Sequence, residues 1–135
     1  MNFFKITIPS NSLYIKLIRS SLNSFLYLCN YKNDDEIFLL ELALNEAVAN
    51  IIEHTYNYEE NHIIDIEFIF EDNYEFKIKI RDYGKKVNPE EIKPRDLNDY
   101  REGGLGTFII KQVFTEQNWV SVDEGNLLVL SKKLV

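Results

Sequence analysis

Residues 64–84 read Ile64-Asp65-Ile66-Glu67-Phe68-Ile69-Phe70-Glu71-Asp72-Asn73-Tyr74-Glu75-Phe76-Lys77-Ile78-Lys79-Ile80-Arg81-Asp82-Tyr83-Gly84. Ile64, Ile66, Phe68 and Phe70 alternate with Asp65, Glu67 and Glu71, and after Asp72-Asn73 the residues Phe76, Ile78 and Ile80 alternate with Lys77, Lys79 and Arg81. Period-2 alternation on both sides of a turn signal predicts an antiparallel hairpin. One face is apolar on both strands. The other is acidic on the first strand and basic on the second, a favourable cross-strand match. Asp82 continues the parity of Phe76, Ile78 and Ile80, so a strand reaching that far aims its carboxylate into the core.

Upstream, Phe4, Ile6 and Ile8 share one face of a strand over residues 3–8, which Pro9 ends. Ser10 or Ser12 is placed to cap a helix reaching about Asn30, with Leu22, Phe25, Leu26 and Cys29 on its apolar side. Asn33 or Asp34 caps a second helix, from about Asp35 to Tyr56, apolar enough between Ile37 and Ile52 to be buried on most of its circumference. Downstream, periodicity vanishes over residues 83–102, a stretch containing Gly84, Pro89 and Pro94. A loop this long inside a domain is uncommon and often functional. Gly103-Gly104-Leu105-Gly106 closes it, Thr107 to Phe114 reads as a short helix, and strands over about 118–123 and 127–134 turn at Glu124-Gly125-Asn126. This order predicts an α+β fold: a two-layer sandwich of a mostly antiparallel mixed sheet with helices on one face, in a single domain over residues 1–135.

The totals agree with one domain. The chain has 135 residues, 45% hydrophobic, with nine Phe and eight Tyr, enough for a real core. The net charge of -7 makes direct nucleic-acid binding a poor fit, because such proteins neutralise phosphates with basic surfaces. Cys29 is the one cysteine, so no internal disulfide forms, and it reads as a small buried hydrophobe. No signal peptide or membrane-spanning run is visible, and a cytoplasmic, membrane-free protein is expected.

Three places carry chemistry. Within Leu44-Asn45-Glu46-Ala47-Val48-Ala49-Asn50-Ile51-Ile52-Glu53-His54, the polar residues Glu46, Asn50 and His54 recur every four positions and form one stripe. A carboxylate suits general-base work and an amide oxygen suits Mg²⁺. A solvated stripe gives the same pattern, and this helix alone favours it. Asp82 offers an acceptor for an exocyclic amine such as that of adenine, and Gly84 permits close backbone approach. Equally, the strand ends at Arg81 and Asp82 merely opens a turn; the residues alone leave the two even. Third, Gly103-Gly104-Leu105-Gly106 before a helix can aim backbone N–H groups at an anion, or simply anchor a loop. There is no GxxxxGK[ST] and no complete GxGxxG after a strand, so neither a P-loop nor a Rossmann site is present. Two histidines, His54 and His62, argue against a histidine metal site.

The order of these motifs resembles the GHKL ATPases with the Bergerat fold over nearly the whole chain. Asn-Glu-Ala-Val-Ala-Asn-Ile-Ile-Glu-His is similar to their N box, Arg81-Asp82-Tyr83-Gly84 to their first glycine box, and Gly103 to Thr107 to their second. Among them the chain most resembles the anti-sigma-factor serine/threonine kinases, which are short and lack a phosphoacceptor helix. Asp82-Tyr83-Gly84-Lys85-Lys86-Val87-Asn88-Pro89 resembles the DxGxxFDP pattern of that branch.

That resemblance implies ATP and Mg²⁺ as cofactors and assigns roles. Glu46 would be the general base, Asn50 would hold Mg²⁺, and Asp82 would bind the adenine amine with Gly84 giving it room. Gly104 and Gly106, with the N–H groups of Leu105 and Thr107, would cradle the phosphates. Residues 85–102, within an ATP lid spanning about 83–103, would cover the nucleotide. Arg101 is the best placed of the lid cations Arg101, Lys93 and Arg95 to contact phosphate; all three read equally as solvated loop charges, and for Lys93 and Arg95 that is the simpler reading. Lys86 replaces the second glycine of DxGxG and leaves the lid geometry open. His54 is expected to be structural. The partners implied are a sigma factor and a STAS-domain antagonist, with a homodimer as the assembly. Arg19 of the first helix is a partner-contact candidate, against the simpler reading of a solvated charge. Two other readings compete: a catalytically silent or nucleotide-free module that sequesters a protein, and the ATP-binding half of a histidine kinase. Retained Glu46 opposes the first; the missing phosphoacceptor helix and the Asp82–Pro89 sequence oppose the second.

Overall fold

Alternating strands and one-sided helices assemble as two layers. The structure, a computed structural model, describes residues 1–86 and 104–134, with only the backbone of 104–107. In chain order come β1 (Asn2–Pro9), α1 (Ile15–Leu28), α2 (Asp34–Asn50), β2 (Ile63–Phe70), β3 (Glu75–Asp82), α3 (Gly104–Val113), β4 (Glu116–Val120) and β5 (Asn126–Lys133). The sheet order is β1-β2-β3-β5-β4, and each described ladder is antiparallel.

The hairpin is as expected. Ile66 pairs with Ile80 and Phe68 with Ile78 on the inner face, while Asp65 pairs with Arg81 and Glu67 with Lys79 on the outer. Asn73 and Tyr74 both take left-handed φ values, 66° and 63°, which turn the chain between β2 and β3. Ile8, Ile64, Ile66, Phe68, Phe76, Ile78, Ile80 and Leu130 are buried together with Ile18, Leu22 and Leu26 of α1 and Ile37, Leu40, Leu44 and Val48 of α2. Such side chains contribute about 1.5–3 kcal/mol each on full burial, so this layer contact is the main stabilising element. At the sheet edge, Phe4 is 40% exposed; it stacks on Phe68 with ring centroids 6.2 Å apart.

Several boundaries differ from expectation. Asn11, not Ser10 or Ser12, caps the first helical segment: its side chain accepts from the Leu13 N–H, and a 3₁₀ turn at Ser12–Tyr14 leads into α1. Ser10 is buried, and its hydroxyl donates to Glu59 O and accepts from His62 N, tying the end of β1 to the segment before β2. Beyond α1, Asn30 adopts φ 64°, with Asn30 N donating to Tyr27 O and Tyr31 N to Leu26 O, a left-handed helix stop. Cys29 is only half-buried, because it sits just past the last turn of α1 near the sheet edge; burial still pushes its thiol pKa up.

Asn33 caps α2 through Glu36 N, and Asp34, Asp35 and Glu36 suit the positive end of the helix dipole. The α2 helix is less enclosed than its composition suggests. Phe38 and Leu39 are 54% and 45% exposed, because only one side of α2 meets the sheet and its helical neighbours. Nor does α2 run unbroken to Tyr56. A π-helical turn occupies Ile51–Thr55, where Tyr56 N reaches back to Ile51 O. The last two strands start earlier than the hydrophobic pattern implies, at Glu116 and Asn126, with Gly125 in the left-handed region at φ 72°. No helix among the described residues is long and apolar enough to cross a membrane.

Candidate functional site

Asp82 turns inward, as its parity with Phe76, Ile78 and Ile80 predicts. It is the last residue of β3, 2% exposed, and faces the inner side of the sheet. Its Oδ1 accepts from Gly84 N at 3.0 Å and from the side-chain amide of Asn126 at 2.9 Å. Burial lifts its carboxyl above the ordinary range, opposed by these hydrogen bonds and the nearby Arg81 charge.

Asn126 is the site residue that sequence reasoning missed. It is 6% exposed, stands directly across the ladder from Asp82, and its amide also donates to Lys85 O at 2.9 Å. Read as a turn residue, it nevertheless shares the parity of Leu128 and Leu130. That parity would have placed it facing inward, had the strand been extended by one residue.

Gly84 is closely packed on the side where a Cβ would stand. A Cβ there would lie 2.4 Å from Thr55 Cγ2 and 3.2 Å from Tyr56 Cε1, so the open side of Gly84 is filled by the end of the π turn. Tyr56 is the second residue that sequence reasoning missed. Its hydroxyl donates to Ile63 O and accepts from Tyr83 N, both at 2.8 Å, and its ring stacks on His62. No periodicity singles it out. Through Thr55 and Tyr56, the helix carrying Glu46 and Asn50 is packed directly against the Asp82–Gly84 backbone. A π turn widens a helix locally and is frequent near functional sites.

Glu46 and Asn50 lie one turn apart on α2, both half-buried at the margin of its core-facing side. The polar stripe stops at Asn50, because the helix geometry changes at Ile51. His54 lies beyond it with its side chain 58% exposed, beside Glu53. Among the described residues no cluster of three or more His, Cys, Asp or Glu side chains could enclose a metal. One amide oxygen fits Mg²⁺ nonetheless, since that ion keeps several waters and takes further ligands from phosphates.

Gly104, Leu105 and Gly106 form the first turn of α3, which starts three residues before Thr107. The first four N–H groups of a helix have no internal partner, so this turn presents donors to an anion. Lys86, standing where a second glycine was noted as absent, donates from Nζ to Val122 O at 2.5 Å. The expectations for residues 87–103, including Lys93, Arg95 and Arg101, lie outside the described residues. Arg19 is half-buried and its charge acts on Glu41 of α2, whose carboxyl is raised by burial and lowered by Arg19.

Comparison with known proteins decides the family. Residues 8–132 match the model of the histidine kinase-like ATPase domain. The chain belongs to that family. This ATPase domain is also 35% identical over 125 residues to the serine-protein kinase RsbW of Staphylococcus aureus (strain MSSA476), covering 85% of the chain and 77% of the relative. It is thus a GHKL, Bergerat-fold domain related to the RsbW-type anti-sigma-factor kinases. Solved structures repeat the fold. The RsbU and RsbW domains of Rv1364c from Mycobacterium tuberculosis superpose with a TM-score of 0.70 at 15% identity, covering 98% of this domain, which spans only 32% of that chain. The SiaB-SiaC complex from Pseudomonas aeruginosa gives 0.66 at 16% identity, covering 95% of this domain and 86% of that chain.

Proposed function

We propose that this domain is an ATP-dependent serine/threonine-protein kinase that acts as an anti-sigma factor and phosphorylates a STAS-type antagonist. The observation that carries the reading is the buried Asp82 carboxylate, fixed by Asn126 and Gly84 beside the helix of Glu46 and Asn50. A buried carboxylate is costly unless it serves a ligand or a partner, and adenine offers a matching amine donor. The 35% identity to a serine-protein kinase supports the reaction class.

In this reading Asp82 orients the base and the backbone N–H groups of Gly104, Leu105, Gly106 and Thr107 receive the phosphates. Bound Mg²⁺, held through Asn50, would neutralise phosphate charge. Glu46 accepts the proton of the attacking hydroxyl as its oxygen bonds the γ-phosphorus and ADP leaves. Arg101 is a further proposed phosphate contact, and Arg19 a proposed contact with the protein partner. The homodimer belongs to the same proposal.

The test is incubation of the protein with Mg-ATP and the antagonist, comparing wild type with Glu46→Ala. Transfer to a serine or threonine, slowed by about 10²–10⁴-fold in the variant, is expected for a lost general base. Wild-type protein that binds ATP yet never transfers phosphate would establish the silent sequestering module instead.

A further inference from the structure

We infer that the β4–β5 connection is a clamp on the base-recognition end of the site, with Asn126 as a positioning residue that sets the Asp82 carboxylate for adenine. This rests on the nucleotide reading above and extends it to a segment that reading does not use.

Four separate contacts converge on residues 122–126. The Asn126 amide bridges Asp82 Oδ1 and Lys85 O, both at 2.9 Å, joining the carboxylate to the backbone that leaves β3. Gly125, at φ 72°, lies so close beneath the same strand end that a Cβ would stand 2.0 Å from Asp82 O and 2.6 Å from Tyr83 Cα. Arg81 Nη2 donates to Glu124 O at 2.9 Å, and Lys86 Nζ to Val122 O at 2.5 Å. Thus the residues on both sides of Asp82 are tied to one connection.

The chemistry of the bridge is specific. Both hydrogens of one primary amide are directed at acceptors, one on the Asp82 side chain and one on the main chain at Lys85, just past Tyr83 and Gly84. A hydroxyl could satisfy only one of them, and a carboxylate neither. With Oδ1 held by Asn126 and Gly84, the carboxylate is fixed in one position, and the acceptor it offers to the amine of a base is fixed with it. A fixed acceptor discriminates strongly between a ligand with the matching donor and one without it.

The test compares ADP with IDP, whose base lacks the exocyclic amine, by calorimetric titration of the purified chain. Wild type should prefer ADP. Asn126→Ala should lower the ADP:IDP preference roughly tenfold, the effect of loosening one hydrogen bond to a charged acceptor. Should Asn126→Ala fail to fold, Asn126→Ser carries the same comparison with one donor retained and a smaller loss. Equal weakening of both nucleotides, or an unchanged preference, overturns the positioning role while leaving nucleotide binding intact. Wild type that binds neither nucleotide overturns both.

Discussion

Replacing Gly84 by alanine tests how the two halves of the site are joined. The added Cβ would stand 2.4 Å from Thr55 Cγ2 and 3.2 Å from Tyr56 Cε1. Carbon atoms pack best at about 3.5–4.0 Å, so Thr55 must retreat by roughly 1 Å or the strand end must lift. Tyr56 cannot yield freely. It is 2% exposed, and its hydroxyl is held by Ile63 O and Tyr83 N at 2.8 Å each. Overpacking of this kind costs about 1–3 kcal/mol, and a weakened buried hydrogen bond adds about 1 kcal/mol. For a domain of this size each kcal/mol lowers the melting temperature by about 3–5 °C. Gly84→Ala should therefore melt about 6–20 °C below wild type in a circular-dichroism scan. Because the closest atom is the Thr55 methyl, Thr55→Ser in the same chain should restore much of the loss. An unchanged midpoint in the single variant, or no recovery in the double variant, would refute the packing argument.

Two further outcomes follow from the same geometry. Burial raises the Asp82 carboxyl, so its ionised form weakens the unliganded fold above its folded pKa, and that cost disappears once the carboxyl is protonated. Asp82→Asn should accordingly be more stable than wild type near neutral pH. Its advantage should shrink to nothing as urea melts are repeated towards about pH 4; an advantage that grows on acidification would contradict the assignment. Gly125→Ala combines a left-handed φ of 72° with a Cβ 2.0 Å from Asp82 O, and should cost about 2–5 kcal/mol by denaturant titration. A loss below that of Gly84→Ala would show the connection to be looser than its contacts imply.

The alternation over residues 64–80 was enough to place the hairpin and its apolar face, because side-chain parity is a local property; for Asp82 it left an inward-facing strand end and a turn opening equally open, and the length of β3 decides for the first. The four-residue spacing of Glu46 and Asn50 was legible for the same reason. What escaped depends on pairing between distant segments. Asn126 matters because β5 lies beside β3 in one particular register, which puts it opposite Asp82. Tyr56 matters because the π turn delivers it to Tyr83, and no propensity of Ile51–Thr55 announces a change of helix type. Ser10 looked like a helix cap, but its hydroxyl is taken by Glu59 O and His62 N, leaving Asn11 the capping role. The exposure of Phe38 and Leu39 likewise reflects which side of α2 the sheet covers, and that is set by the assembled layers rather than by composition.

The most direct measurement is the thermal shift produced by ADP. A ligand held only by the folded state stabilises it by about 2.7 kcal/mol at a hundred times its dissociation constant. Wild type in millimolar ADP should melt several degrees higher, about 3–5 °C per kcal/mol gained, and Asp82→Ala should show no rise. An unmoved wild-type midpoint, or a rise that Asp82→Ala retains, would contradict the claim that Asp82 marks a nucleotide site.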